Sequence, residues 1–186
     1  MTNNVPSLLV AVVDNAAIVK IKGRANFTTS ISFKRLIAEL RERGLDNILL
    51  DLSDCVTMDS TFLGVLAGAA VKLSEGRNGA INGAAHRAGI SACELRLLNP
   101  NQRVADLLDN LGVSELFRTV HCEVPEPSGQ YSAGDDCEPE PSREEITRAC
   151  LEAHQVLMAI NPKNIPKFKD VAQFLSEDLK RLNSPS

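Results

Sequence analysis

The stretch Ile48-Leu49-Leu50-Asp51-Leu52-Ser53, followed after four intervening residues by Met58-Asp59-Ser60-Thr61-Phe62-Leu63-Gly64-Val65-Leu66, decides the fold. Its first part is short and almost wholly apolar, as expected of a strand covered on both faces. Its second part opens on Asp59, a good helix N-cap, which sets Ser60 and Thr61 at the first helical positions. Leu63, Leu66, Ala70 and Leu73 then recur at helical spacing and form an apolar stripe.

Upstream, Leu8 to Val13 is an apolar run and Ile18, Val19 and Ile21 form another, with Asp14-Asn15 between them as a tight turn. This predicts a β-hairpin, ended by Gly23. Thr28 or Thr29 is the expected cap of a first helix carrying Phe33, Leu36, Ile37 and Leu40, with Gly44 as its stop. Downstream, Gly76 to Gly89 reads as a loose loop with neither a GxGxxG nor a Walker pattern. Leu95, Leu97 and Leu98 lead to Asn99-Pro100, read as a cap and a proline at the first helical position. Val104, Leu107, Leu108 and Leu111 mark a third helix stopped by Gly112, and Leu116 to Val120 a last short strand. Strands alternating with helices predict an α/β layer structure in which an antiparallel hairpin feeds a partly parallel sheet.

The pattern breaks at Glu123. From there to Pro141 the chain is acidic and proline-rich and reads as an extended linker. Ser142 and Glu145 form a capping box, and Ile146, Ala149, Ala153, Val156, Leu157 and Ile160 share one helical face. After Asn161-Pro162 and Pro166, the residues Phe168, Val171, Leu175 and Leu179 predict a second helix. Such a helical hairpin cannot bury its apolar stripe alone, so it must pack on the main domain or on another chain. The expected organisation is a domain over 1–122, a linker over 123–141 and a C-terminal helical hairpin over 142–186.

Composition narrows the function. A net charge of −4 argues against a nucleic-acid binder, which needs a basic face to offset phosphate charge. No apolar run approaches the length of a membrane span, and the opening residues Thr2, Asn3 and Asn4 do not resemble a signal peptide. Five widely spaced cysteines (Cys55, Cys93, Cys122, Cys137 and Cys150) without a CxxC pair favour reduced thiols and a cytoplasmic location. Cys150 and His154 share a helical face, yet no further pair completes a metal site, so neither metal nor cofactor is expected. No local motif suggests a Ser-His-Asp or Cys-His arrangement, and the chain is not read as an enzyme.

The strand ending in Asp51 and the Asp59-Ser60-Thr61-Phe62-Leu63-Gly64 turn into the second helix resemble the signature of the STAS family, the anti-sigma-factor-antagonist fold. The order of elements from Leu8 to Val120, with the Asn99-Pro100 helix start, fits it too. The resemblance implies a STAS-type mixed β-sheet with helices packed on it. It also implies a bacterial partner-switching role: the protein binds an anti-sigma factor or related serine/threonine kinase, phosphorylation at this turn releases the complex, and a phosphatase reverses it. Matched residue by residue, the phosphoacceptor falls on Thr61, with Ser60 just before it. Asp59, Phe62, Gly64, Asp54 and Arg24 are the expected partner-binding residues. Phe62 departs from the family, which commonly has glycine there, and so puts a bulky group beside the acceptor. Asp51 and Asp54 are read as solvated strand-end carboxylates. The alternative role is that of a constitutive STAS subunit of a larger assembly, such as a lipid-transport ATPase complex. The C-terminal hairpin leans that way, since it offers a further protein interface or a homodimer contact.

Overall fold

The computed structural model describes residues 6–13, 15–45, 47–79, 94–122 and 140–183. Strands β1 (Ser7–Val13) and β2 (Ala16–Ala25) form the predicted antiparallel hairpin, with Leu8 opposite Ile21 and Val10 opposite Val19. Asn15 is in the turn, whereas Asp14 lies outside the described residues. Helix α1 (Phe27–Glu42) leads to β3 (Asn47–Asp51), which runs parallel to β2. After β4 (Cys55–Met58) and α2 (Ser60–Gly79), β5 (Glu94–Leu98) lies parallel to β3. Helix α3 (Gln102–Leu111), a 3-10 turn at Ser114–Leu116 and β6 (Arg118–Val120) complete a sheet ordered β1-β2-β3-β5-β6. The chain ends in α4 (Arg143–Ile160) and α5 (Ile165–Leu182), packed on each other.

The core follows from the alternation and periodicity of the sequence. Val19, Ile21, Ile48, Leu50 and Leu97 from the strands meet Phe33, Leu40, Leu63, Leu66 and Leu73 from α1 and α2, all fully or nearly fully buried. With few aromatics available, the one described pair of phenylalanine rings, Phe33 and Phe62, sits at the α1–α2 junction with centroids 5.2 Å apart.

Local chemistry differs from expectation at several points. Gly23 does not end the hairpin. It adopts φ 79° at a register shift within β2, and the strand continues to Ala25 by pairing with β4. Sequence reading missed β4, which lies between the Ser53-Asp54 turn and the Asp59 cap. Asn26, not Thr28 or Thr29, caps α1: its side chain accepts from both threonine N–H groups, at 3.1 Å each. Asn99-Pro100 is not the start of α3 either. Asn99 takes φ 51° and clamps the backbone of Cys122, while Asn101 caps the helix at Val104 and donates to the Cys55 carbonyl at 2.6 Å. Residues Gly76 to Gly79 extend α2, whereas 80–89 of the predicted loop lie outside the described residues. So do 123–139 of the predicted linker.

Asp51 is not solvated. It is 2% exposed at the end of β3, accepts the Ser53 N–H at 3.0 Å, and pairs with buried Lys20 at 3.6 Å. Lys20 also reaches Asp54 at 3.1 Å, so one ammonium offsets two carboxylates where β3 ends and the chain turns toward β4. Removing one member of a buried pair leaves the other charge uncompensated. Lys20→Met is therefore expected to destabilise the fold by about 3 kcal/mol, read as a lower urea midpoint at unchanged slope. A midpoint equal to wild type would contradict the account of this pair.

Candidate functional site

The site is built where α1 and α2 begin side by side. Pairing of β2 with β4 brings Ala25 opposite Met58, and the Asp59 N–H donates to the Ala25 carbonyl at 2.9 Å. The Asp59 carboxylate then serves two helices. One oxygen accepts the Phe62 N–H at 2.8 Å as the N-cap of α2, and the other accepts the Phe27 N–H at 2.9 Å in the first turn of α1. Neither helix start has an acidic residue in its first turn, so Asp59 supplies the negative charge that both positive helix ends favour.

Ser60 and Thr61 occupy the first turn of α2, as expected. Their surroundings are not as expected, for helix α4 of the same chain lies over them. The Ser60 hydroxyl is half-buried, with its oxygen 3.1 Å from His154 Nε2. Thr61 is 6% exposed, and its hydroxyl points to the Cys150 sulfur at 3.6 Å. Gly64, one turn further along, meets the α4 backbone directly. A Cβ added there would stand 2.4 Å from the Ala153 carbonyl oxygen. Only glycine lets the two helices approach this closely, so the position is fixed by the contact.

The His154 ring is oriented from both sides. Its Nδ1 lies 2.7 Å from the Cys150 carbonyl, which can only accept, so Nδ1 carries the proton of the neutral ring. Nε2 is then an acceptor for the Ser60 hydroxyl. The ring also packs on Phe168 of α5, centroids 4.9 Å apart. Around this seat, Lys34 and Arg35 of α1 pair with Glu152 and Glu145 of α4, and Asn161 and Asn164 donate to the Leu111 carbonyl at the end of α3. Ser142 caps α4 at Glu145 as predicted, but the Glu145 carboxylate reaches Arg35.

Phe62, expected at a partner-binding surface, is instead fully buried against Phe33, because the third position of α2 faces the sheet. Gly64 is buried under α4. Arg24 is exposed in β2 opposite Thr57, and Asp54 is exposed and paired with Lys20. Sequence reading missed Cys150, Ala153 and His154 as parts of this site. Their common helical face was legible, whereas the surface that receives it was not.

Burial pushes the Cys150 thiol above its ordinary value, with the Asp59 charge adding and the Thr61 hydrogen bond opposing, and pushes Cys55 up to about 11. Both thiols are therefore held protonated and poorly nucleophilic. The Ser60–His154 pair resembles a nucleophile with its base, yet Nδ1 of the ring is held by a carbonyl where a carboxylate would orient a catalytic base. A cavity of about 190 Å3 lies beside the seat, between α1, α2 and α4, and neither Ser60 nor His154 lines it.

Residues 7–124 match the STAS domain family, well over half of the chain. The chain belongs to the STAS family. No relative was found among curated proteins. Among solved structures, an anti-sigma factor antagonist from Mycobacterium paratuberculosis is 16% identical, with a TM-score of 0.49 over 63% of this chain and 87% of its own. A Thermotoga maritima protein classed as an anti-sigma factor antagonist is 22% identical, with a TM-score of 0.49 over 62% of this chain and 86% of its own. The Bacillus cell fate determinant SpoIIAA in its phosphorylated form is 14% identical, with a TM-score of 0.46 over 61% of this chain and 91% of its own. The family match ends before α4, so the helix that covers the STAS surface lies outside the matched module. No described helix is long and apolar enough to cross a membrane.

Burial holds the His154 pKa below its ordinary 6.5, against the upward pull of the Cys150 carbonyl and the Asp59 charge. Asp59 and Cys150 are the titratable groups in that environment, and Phe168 faces the ring from α5. An unfolded or released His154 takes up its proton first as pH falls, so the packed state binds fewer protons and loses stability below 6.5. The urea midpoint is expected to fall between about pH 7 and about pH 5.5, and to fall less in His154→Gln. Equal slopes in the two proteins would show that His154 is not buried neutral.

Proposed function

We propose that this STAS protein is a non-enzymatic, protein-binding regulator of the anti-sigma-factor-antagonist type, controlled by phosphorylation of Thr61 or Ser60. Its partner is an anti-sigma factor or related serine/threonine kinase, and a phosphatase restores the hydroxyl. In this reading 1–122 is the cytoplasmic binding module, 123–141 a linker and 142–186 an appended hairpin.

The observation that carries this reading is the position of both hydroxyls in the Asp59-capped first turn of α2, inside a helix–helix contact. A phosphate on either residue would be accommodated by the polarised helix start and its N–H groups. It would also add about −1.5 to −2 units of charge beside the Asp59 carboxylate. Any helix packed on this turn would then meet added volume, like charge and lost hydrogen bonds. One modification thus changes what can dock here without disturbing the core beneath.

Incubation of the full chain with ATP and an anti-sigma-factor-type serine kinase is expected to label Thr61 or Ser60, mapped by mass spectrometry. Thr61→Glu is expected to weaken the kinase complex by about a hundredfold, the effect of roughly 3 kcal/mol of repulsion and lost contact. Label elsewhere, or an unaffected complex, would contradict the reading.

A constitutive subunit role has one observation in its favour. Helix α5 leaves Phe174 66% exposed, with Val171 and Leu182 also exposed on the same side, an apolar face suited to a further partner. Under that role, Phe174→Asp would abolish assembly and Thr61→Glu would not.

A further inference from the structure

We infer that the surface at the start of α2 is a helix-receiving site held closed in cis by α4, and that its protein partner enters by presenting an amphipathic helix of the same pattern in α4's place. The inference rests on the reading that this surface is where the partner binds, and adds what the partner must look like and what it must displace.

The pattern can be read from the seat. Cys150, Ala153, His154 and Leu157 stand at i, i+3, i+4 and i+7 and face α2 and the core beneath it. Each has a defined role. Counting Cys150 as the first, the fourth position must be small, because Gly64 admits nothing between it and the incoming backbone. The fifth must hydrogen-bond to the Ser60 hydroxyl, and the eighth must be a large aliphatic side chain, since Leu157 is fully buried. Acidic residues flank the stripe, and Glu145 and Glu152 meet Arg35 and Lys34 of α1. The partner helix therefore carries a small residue within an apolar stripe and a carboxylate edge, a groove-docking ligand of the amphipathic kind.

Two features mark α4 as a displaceable occupant. Of its flanking ion pairs, Lys34–Glu152 is exposed and Arg35–Glu145 only part-buried, so each is worth little individually. A cleft of about 190 Å3, open to solvent, runs beside it between α1, α2 and α4 and reaches Gly64, Val65 and Val156, so one flank of α4 is left without a packing neighbour. Being covalently attached, α4 competes as an intramolecular ligand, which favours the closed state over a free helix of equal intrinsic affinity. Thr61, buried under Cys150, is reachable by a kinase only when α4 is away, and a phosphate there would then bar its return.

The test uses a synthetic peptide of residues 142–161, fluorescently labelled, titrated with the full chain. Wild type is expected to bind it weakly, because α4 already fills the site. Ala153→Glu, which cannot seat on Gly64, is expected to bind at least about tenfold more tightly. The double variant Glu145→Lys, Glu152→Lys loosens α4 through positions outside its buried stripe, and is expected to shift binding in the same direction. A peptide with leucine in place of Ala153 is expected to bind neither variant. Equal affinity of wild type and both variants would overturn the closure. Absence of binding to the double variant, with its circular dichroism unchanged, would overturn the helix-receiving site. The assay contains no kinase or phosphate, so its failure is separable from failure of the phosphorylation reading.

Discussion

The backbone contact between Gly64 and Ala153 governs the relation between the two parts of this protein. A helix pair approaching so closely needs a residue without a Cβ on one side and a small residue on the other. Once that contact is made, the rest of the α4 face has no choice of register. His154 arrives at Ser60, Cys150 at Thr61, and Leu157 in the core, while the acidic edge meets Lys34 and Arg35. The same contact that positions α4 buries the Thr61 hydroxyl and half-covers that of Ser60. Fold and accessibility of the site are therefore one property.

Asp59 prepares the surface on which this happens. By accepting N–H groups from both α1 and α2, its carboxylate sets the two helix starts side by side and leaves the adjoining hydroxyls in a polarised first turn. Neutral hydroxyls suit that turn when another helix covers it, because they hydrogen-bond to the visitor. A charged group suits it when the turn is open, because the helix dipole and free N–H groups favour a negative charge. The turn is thus compatible with two states that differ in what can pack on it.

The STAS fold was legible because its signals are local and strong. The apolar run at Ile48–Leu52, the Asp59 cap and the alternation of strands with helices each specify an element, and together they leave few topologies. Capping was read less well where several polar residues compete. Asn26 prevailed over Thr28 and Thr29, and Asn101 over Asn99, because each also sits at the junction with a neighbouring strand or turn. The site was half legible. Ser60 and Thr61 were placed in the right turn, but their burial depends on residues about 90 positions later in the chain, and no local pattern couples Gly64 to Ala153. Phe62 was misread for a related reason: its position in the helix was clear, while the direction of its side chain toward Phe33 is a tertiary fact.

The central claim is that α4 rests on the start of α2 in solution. Nuclear Overhauser contacts measured on the isotopically labelled protein test it directly. The account predicts cross-peaks from the Ala153 methyl to the Gly64 α-protons and from the His154 ring to Ser60. Sharp α4 resonances lacking those cross-peaks, in a protein whose STAS sheet is otherwise intact, would contradict it.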